Sequence, residues 1–471
     1  MSLELFEGVR DLFVDDDGAM RLSLDGIAYG NLAHVVLYQM LNPNLEFPAT
    51  RRPLARLLKV RGLDWQVRFM YGRLLGKNKH IEACPNGGGL VLFTIYNHAV
   101  IHSLLPVYQK LTASGNSPVA IFSDPGMRRA VPGSLNGLSY ASFYKLADER
   151  EVNRKWPVLR NQLAAYSATL KTRLKKLAGE VEIDADRIVA FLNPFLKQSL
   201  RDAQAIKRIL GRCRPRYLVM GSDANKLGRL FSMMARQSGI RTVVVQHGAT
   251  VDPYGYVPLY ADRAAVWGEI SKAWYLQHGV PESQLVITGN PQLDAVRVQS
   301  SIPAHSGSRL ILATNPLSRE VNERLLEAAG SVAREHGLSL KVRPHPSEDP
   351  TFYEQFIQRE AADAELCTGS LDELIRPGDI LVTCNSTIGI DALLRGALLV
   401  VIEVPGVGAP IPYKRYGVAE SIALAELDAL IADVLKGAVE RDEAKTATFL
   451  QDYLGKLDGA SATRIATLLT P

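Results

Sequence analysis

The chain has 471 residues, 47% apolar, 22% charged and 7% aromatic, with a formal net charge of +5. This is ordinary composition for a folded protein; it excludes a collagen, a disulfide miniprotein and a fully disordered chain. At roughly 150 residues per domain the length predicts two to three domains. The four cysteines, Cys84, Cys213, Cys367 and Cys384, are widely spaced and form no CxxC. That pattern argues against a zinc site or a disulfide framework and predicts a reducing compartment.

The first residues are acidic where a secretory signal would be basic and then apolar, and no run of about 18 apolar residues follows anywhere. The expectation is a cytoplasmic protein. Charge is unevenly placed: residues 1–50 carry eight acids and two bases, whereas 51–79 carry nine bases and one acid. Leu54, Leu57, Leu58, Trp65, Val67 and Phe69 are interleaved with those bases. Such a basic amphipathic stretch suits an anionic membrane surface, or else a solvated helix face. No nucleic-acid-binding motif is present.

Strand-like runs follow at 90–96 (LVLFTIY) and 118–123 (PVAIFS). Residues 146–210 read as long helices. Alternation then begins, with strands at 216–221, 241–246, 261–267 and 285–288 and helices at 226–237 and 271–278. A second alternating block starts near Arg309. Its strands are 309–314, 338–343, 379–383 and 398–403, with helices at 319–335, 351–360, 388–395 and beyond 420. Short β-branched strands alternating with helices of about 10–15 residues predict parallel sheets covered on both faces. The expected architecture is α/β, with two Rossmann-like doubly wound domains facing a cleft and a helical N-terminal extension. The boundaries read as an extension over 1–80, an acceptor-side domain with a helical insert over 81–297, and a nucleotide-binding domain over 298–471. The polar segment 298–308 reads as the linker.

In such sheets ligands bind beyond the carboxyl ends of the strands, so polar residues there are the candidates. Gln246-His247-Gly248 follows one strand. An imidazole there can take a proton near neutral pH, and glycine permits close approach. Arg343-Pro344-His345-Pro346 follows another; two prolines fix the backbone, while Arg and His are donors suited to phosphate. Cys384-Asn385-Ser386-Thr387 opens a helix, where Ser and Thr either cap free N–H groups or share them with a phosphate. Asp223, after a fourth strand, reads as nucleophile, general base or helix cap. Glu269 and Asn290 sit in further strand-end turns that could contact donor or acceptor. There is no P-loop, no GxGxxG after the first strand, no GxSxG and no HExxH. No paired-Asp metal signature occurs, so no metal is expected.

The ordered series VVVQHG, DRAAVWG, ITGNPQLD, VRPHP and CNSTIGIDAL, over about residues 210–405, resembles bacterial surface-polysaccharide glycosyltransferases of the GT-B fold. It is similar to the superfamily of capsule sialyl- and Kdo-transferases and the CDP-glycerol glycerophosphotransferases of teichoic acid synthesis. The resemblance implies that His345, Pro346, Ser386 and Thr387 bind a CMP- or CDP-linked donor, supported by Arg343 and Asn385. It implies a role for His247 and Gly248 near the acceptor or leaving group, and matches Asp223 to an acid used in some of these enzymes. The Asp/Glu-Asp-Gly motif of bacterial sialyltransferases is not evident, which speaks against sialyl transfer specifically.

The reading is a metal-independent glycosyltransferase with a CMP-linked ulosonic or nonulosonic acid donor and a glycan or glycolipid acceptor. Its catalytic residues would be His247 and Asp223, with Gln246, Gly248, Glu269 and Asn290 contacting donor or acceptor. It requires no cofactor beyond the donor substrate. It would build capsule or lipopolysaccharide, in the cytoplasm or peripherally on the inner face of the cytoplasmic membrane. The rivals are a CDP-glycerol-type glycerophosphotransferase, a UDP-GlcNAc 2-epimerase-like enzyme and a non-catalytic polysaccharide-assembly protein.

Overall fold

A computed structural model describes residues 2–14, 18–42, 91–95, 98–123, 135, 137–179, 183–296, 309–345, 348–360 and 364–469. The basic stretch 51–79, the expected linker 298–308 and Pro346 lie outside the described residues. Two compact units result: Met1–Asp294 with Asp458–Pro471, and Ala295–Leu457.

The first unit opens with helix Ser2–Asp11, a small antiparallel pair β1 (Ser23–Leu24) and β2 (Ile27–Ala28), and helix His34–Leu41. Seven parallel strands follow: β3 (Val91–Ile95), β4 (Val119–Phe122), β5 (Gly137–Ser139), β6 (Tyr217–Met220), β7 (Arg241–Val245), β8 (Arg263–Val266) and β9 (Leu285–Ile287). Their order is β5-β4-β3-β6-β7-β8-β9, so the strand order reverses between β3 and β6.

Both faces of this sheet are covered, which is why its strands are apolar at nearly every position. Leu218 and Met220 of β6 face one hydrophobic cluster, while Tyr217 and Val219 face another. The first cluster takes in the paired long helices Asp148–Ala178 and Ala185–Cys213. It also holds Phe6, Val9, Leu37 and Tyr38, so helices Ser2–Asp11 and His34–Leu41 are built into this unit's core. Arg229, wholly buried, ties them in by donating to Asn31 O at 2.7 Å and pairing with His34 Nδ1 at 2.9 Å.

The second cluster contains helix His98–Ala113 and, from the far end of the chain, Ala462, Ile465, Ala466 and Leu469. The boundary expected at residue 298 placed the whole C-terminus in the second domain; the last fourteen residues instead belong to the first unit. Two forces explain this. The apolar face of helix Ser461–Leu468 packs against helix His98–Ala113. The Asp294 carboxylate also accepts the helix's first N–H groups, from Ser461 at 3.0 Å and Ala462 at 2.7 Å.

The second unit contains β10 (Arg309–Ala313), β11 (Ser339–Arg343), β12 (Glu365–Leu366), β13 (Ile380–Thr383), β14 (Leu398–Ile402) and β15 (Glu420–Ile422). All pairs are parallel, in the order β12-β11-β10-β13-β14-β15, with the reversal between β10 and β13. Leu310, Leu312, Val342, Val382 and Val400 pack under helices Arg319–Glu335, Pro350–Glu360 and Leu427–Leu435. Each unit is thus a doubly wound sheet whose strands all point the same way, collecting its strand-end loops along one edge. Among the described residues no helix is long and apolar enough to cross a membrane.

Candidate functional site

In the first unit the loops after β6, β7, β8 and β9 lie together. His247 follows β7 by two residues, and its Nδ1 is 2.8 Å from the carbonyl oxygen of Gly221, just after β6. A carbonyl only accepts, so Nδ1 carries the ring proton and Nε2 keeps its lone pair. Burial lowers the imidazole pKa below its ordinary value of 6.5, while the bond to Gly221 works in the opposite sense. The ring stacks on Tyr256, with centroids 5.1 Å apart and planes 17° from parallel. His247 is therefore a half-buried, neutral, oriented imidazole, the form a general base requires. Gly248 lets the chain pass beneath that tyrosine: a Cβ there would lie 2.9 Å from the Tyr256 hydroxyl.

The other candidates in this unit have different roles. Gln246 is 1% exposed and its amide is fully engaged. It donates to Gly248 O at 2.9 Å and Ser271 Oγ at 3.0 Å, and accepts from Trp267 N at 2.9 Å. It stitches the ends of β7 and β8 together. Asp223 is 1% exposed, and its Oδ2 accepts the backbone N–H groups of Tyr260 and Ala261, each at 2.6 Å. Burial nonetheless raises its carboxyl to about 6. In this arrangement it clamps the loop before β8. It does not cap the following helix, because Asn225 does so through Gly228 N at 2.9 Å. Asn290 is buried and caps the turn after β9 by accepting from Gln292 N at 3.1 Å. Glu269 is exposed at the start of helix Glu269–Gln277.

In the second unit, Arg343 ends β11 and donates to Cys367 O at 3.1 Å. His345 is half-buried, and burial lowers its pKa while the nearby Glu348 carboxylate works to raise it. The loop carrying His345 is held by a residue that sequence reasoning missed. Glu348 Oε2 accepts from His345 N at 2.9 Å and from Thr314 Oγ1 at 2.6 Å. Its Oε1 accepts from Asn322 Nδ2 at 2.8 Å and from Tyr353 Oη at 2.6 Å. The available signal was an acid three residues after His345, ahead of a proline-led helix.

At the β10/β13 reversal, Thr383 donates to Asn315 Oδ1 at 3.2 Å, and Asn322 donates to Asn315 O at 3.0 Å. Asn385, with φ of +30°, exchanges two 2.9 Å bonds with the backbone of Ile411. It anchors that loop. Ser386 is half-buried and Thr387 exposed; the Thr387 side chain does not cap helix Ile388–Leu394. Beyond β13 and β14 lies a cavity of about 800 Å³ bounded by Asn385, Ile402, Glu403, Val404, Lys414 and Arg415. Arg343, His345, Ser386 and Thr387 are not among its walls. Among the described residues no cluster of three His, Cys, Asp or Glu side chains is placed to hold a metal ion.

These two units give the chain the GT-B type of fold, and solved structures bear this out. The UDP-GlcNAc 2-epimerase of Neisseria meningitidis, solved bound to UDP-GlcNAc, matches at 12% identity and TM-score 0.52, covering 81% of this chain and 99% of that one. A Listeria monocytogenes protein classed as a UDP-N-acetylglucosamine 2-epimerase matches at 12% identity and TM-score 0.52, covering 80% and 95%. A further UDP-N-acetylglucosamine 2-epimerase matches at 13% identity and TM-score 0.50, covering 81% and 96%. No protein-family model matches the sequence. No curated protein matches it either.

Proposed function

We propose that the chain is a nucleotide-sugar enzyme, specifically a glycosyltransferase whose donor is a CMP-linked ulosonic or nonulosonic acid. The observation that carries the reading is His247, a neutral imidazole with an unprotonated Nε2 at a strand end. In the proposed reaction Nε2 takes the proton of an acceptor hydroxyl. The acceptor oxygen attacks the anomeric carbon, and the bond to the CMP phosphate oxygen breaks with its electron pair. Arg343 and His345, with Ser386 and Thr387, meet the charge of the departing phosphate, so the reading calls for no metal. Pro346 belongs to the same turn by sequence. Asp223 is a candidate nucleophile only if the Tyr260–Ala261 clamp opens to release its carboxylate.

The acceptor is a bacterial surface glycan or glycolipid, which places the reaction in the cytoplasm or on the inner face of the cytoplasmic membrane. The basic stretch 51–79 would supply that surface contact. Co-sedimentation with anionic but not neutral liposomes supports it; no binding to either overturns it. The test of the site is His345→Ala, which should weaken binding of CMP and raise KM for the donor. Unchanged affinity and turnover would refute the phosphate-site assignment.

A second reading, a 2-epimerase acting on UDP-GlcNAc, is favoured by the solved structures of similar fold. It requires no acceptor, so conversion of UDP-GlcNAc alone to its 2-epimer would select it. A CDP-glycerol-dependent glycerophosphotransferase shares the motifs and is separated by donor assays alone.

A further inference from the structure

We propose that Glu348 is the positioning residue of the second unit's phosphate-binding turn, an inference that rests on the nucleotide reading of Arg343 and His345. Its carboxylate receives four hydrogen bonds, two on each oxygen, from four separate segments of the chain. Thr314 brings the end of β10, Asn322 helix Arg319–Glu335, Tyr353 helix Pro350–Glu360, and His345 the turn itself. The turn is closed in the other direction by Glu348 N donating to His345 O at 2.9 Å. The backbone at His345 is thereby referenced to β10, the strand at the sheet's reversal, rather than only to its own strand.

The chemistry requires a carboxylate. Two partners, His345 N at one oxygen and Asn322 Nδ2 at the other, can only donate, so both ends of the group at their centre must accept. Glutamine has one oxygen and one N–H₂ end. Whichever way its amide is turned, the N–H₂ end meets a group that only donates, so the bond to His345 N or the bond to Asn322 Nδ2 is lost, while the facing hydroxyl can turn to accept. Aspartate keeps the charge but is one methylene too short to reach both pairs. Glu348 also adds negative charge beside the His345 imidazole, which favours its protonated form. A bound phosphate acts in the same direction, so carboxylate and phosphate together would hold a proton on His345. Glu348 thus acts through His345 and touches no reacting atom in this assignment.

The test compares wild-type protein with Glu348→Gln by three readouts: titration with CMP, steady-state kinetics with the donor, and hydrogen exchange at the His345 amide. The proposal expects CMP affinity to fall by about ten- to a hundredfold, the worth of one hydrogen bond to a charged group. KM should rise with it while kcat stays within a few-fold. Exchange should quicken at His345 while β10 and β13 stay protected, and the His345 imidazole should titrate at a lower pH. Wild-type exchange at His345 in both Glu348→Gln and Glu348→Ala, the second of which removes both oxygens, overturns the proposal. So does protection lost uniformly over the second unit, which would mark Glu348 as a general structural residue. If the wild-type protein itself binds no nucleotide, the functional reading fails, and the exchange and titration readouts still decide whether Glu348 sets the turn. Should Glu348→Gln not fold, Thr314→Val and Tyr353→Phe each remove one donor. Faster exchange at His345 in either supports the role, and unchanged exchange in both contradicts it.

Discussion

His247 and Gly221, twenty-six residues apart in sequence, meet through a 2.8 Å contact between an imidazole Nδ1 and a carbonyl oxygen. That contact fixes the tautomer of the ring, and burial lowers its pKa. If Nε2 is the base, His247→Ala should reduce kcat by about 10²–10⁴-fold, the usual worth of a positioned proton acceptor. The base works unprotonated, so kcat/KM should rise through a pKa below 6.5 and be flat at neutral pH. An acid limb with its midpoint well above 7 would contradict this assignment.

Asp223 gives a second pH signature. Its carboxyl is raised from 3.8 to about 6 by burial. A carboxyl that holds its proton more tightly when folded contributes stability that is complete below 3.8 and lost as pH climbs through about 6. A rise of that size corresponds to about 3 kcal/mol between the two ends of the range. Asp223→Asn should therefore lose more stability relative to wild type at about pH 4 than at about pH 7, measured by denaturant melts across that range. A difference independent of pH would remove burial as the dominant influence on this group.

The base of the second sheet depends on one ion pair. Arg309 Nε donates to Asp379 Oδ1 at 2.8 Å, its Nη2 pairs with Oδ2, and Arg376 N also donates to Oδ2 at 2.7 Å. Both side chains are largely buried, at 15% and 7% exposure. Arg309→Ala strands a buried carboxylate and should cost about 3–5 kcal/mol in unfolding experiments. A loss under about 1 kcal/mol would mean the pair behaves as a surface bridge.

The C-terminal helix should stabilise the first unit, not the second. Asp294→Ala removes the acceptor of two helix N–H groups and should cost about 1 kcal/mol. Deleting residues 458–471 removes Ile465 and Leu469 and would uncover their partners on helix His98–Ala113. Hydrogen exchange should then quicken in β3 and that helix while β10 and β13 remain unchanged. Loss of protection in the second sheet instead would contradict the grouping.

What could be read from sequence follows the physics of burial. β7, β10, β13 and β14 are apolar runs because both sheet faces are covered, and their positions were legible to within a residue or two. β5, β12 and β15 were not anticipated; they are edge strands of two or three residues with little apolar content. The integration of helices Ser2–Asp11 and His34–Leu41 rests on long-range contacts such as Arg229 with His34, which no local pattern encodes. Strand-end polar residues were legible as a set, but not which way each faces. His247 turns its Nδ1 to Gly221 O, whereas Gln246 and Asn385 bond through their amides to neighbouring groups. Glu348 escaped notice because its four donors come from four places along the chain.

The central claim is that the second unit holds a cytidine nucleotide. The direct measurement is a thermal-shift panel of CMP, CDP, UMP, UDP, GDP and ADP without added metal, on wild-type protein and His345→Ala. A ligand that binds only the folded state at a hundredfold excess over its dissociation constant adds about 2.7 kcal/mol of stability. Stabilisation by CMP in the wild type, lost in His345→Ala, is the predicted result. Stabilisation by UDP alone, or no response to any nucleotide, would contradict it.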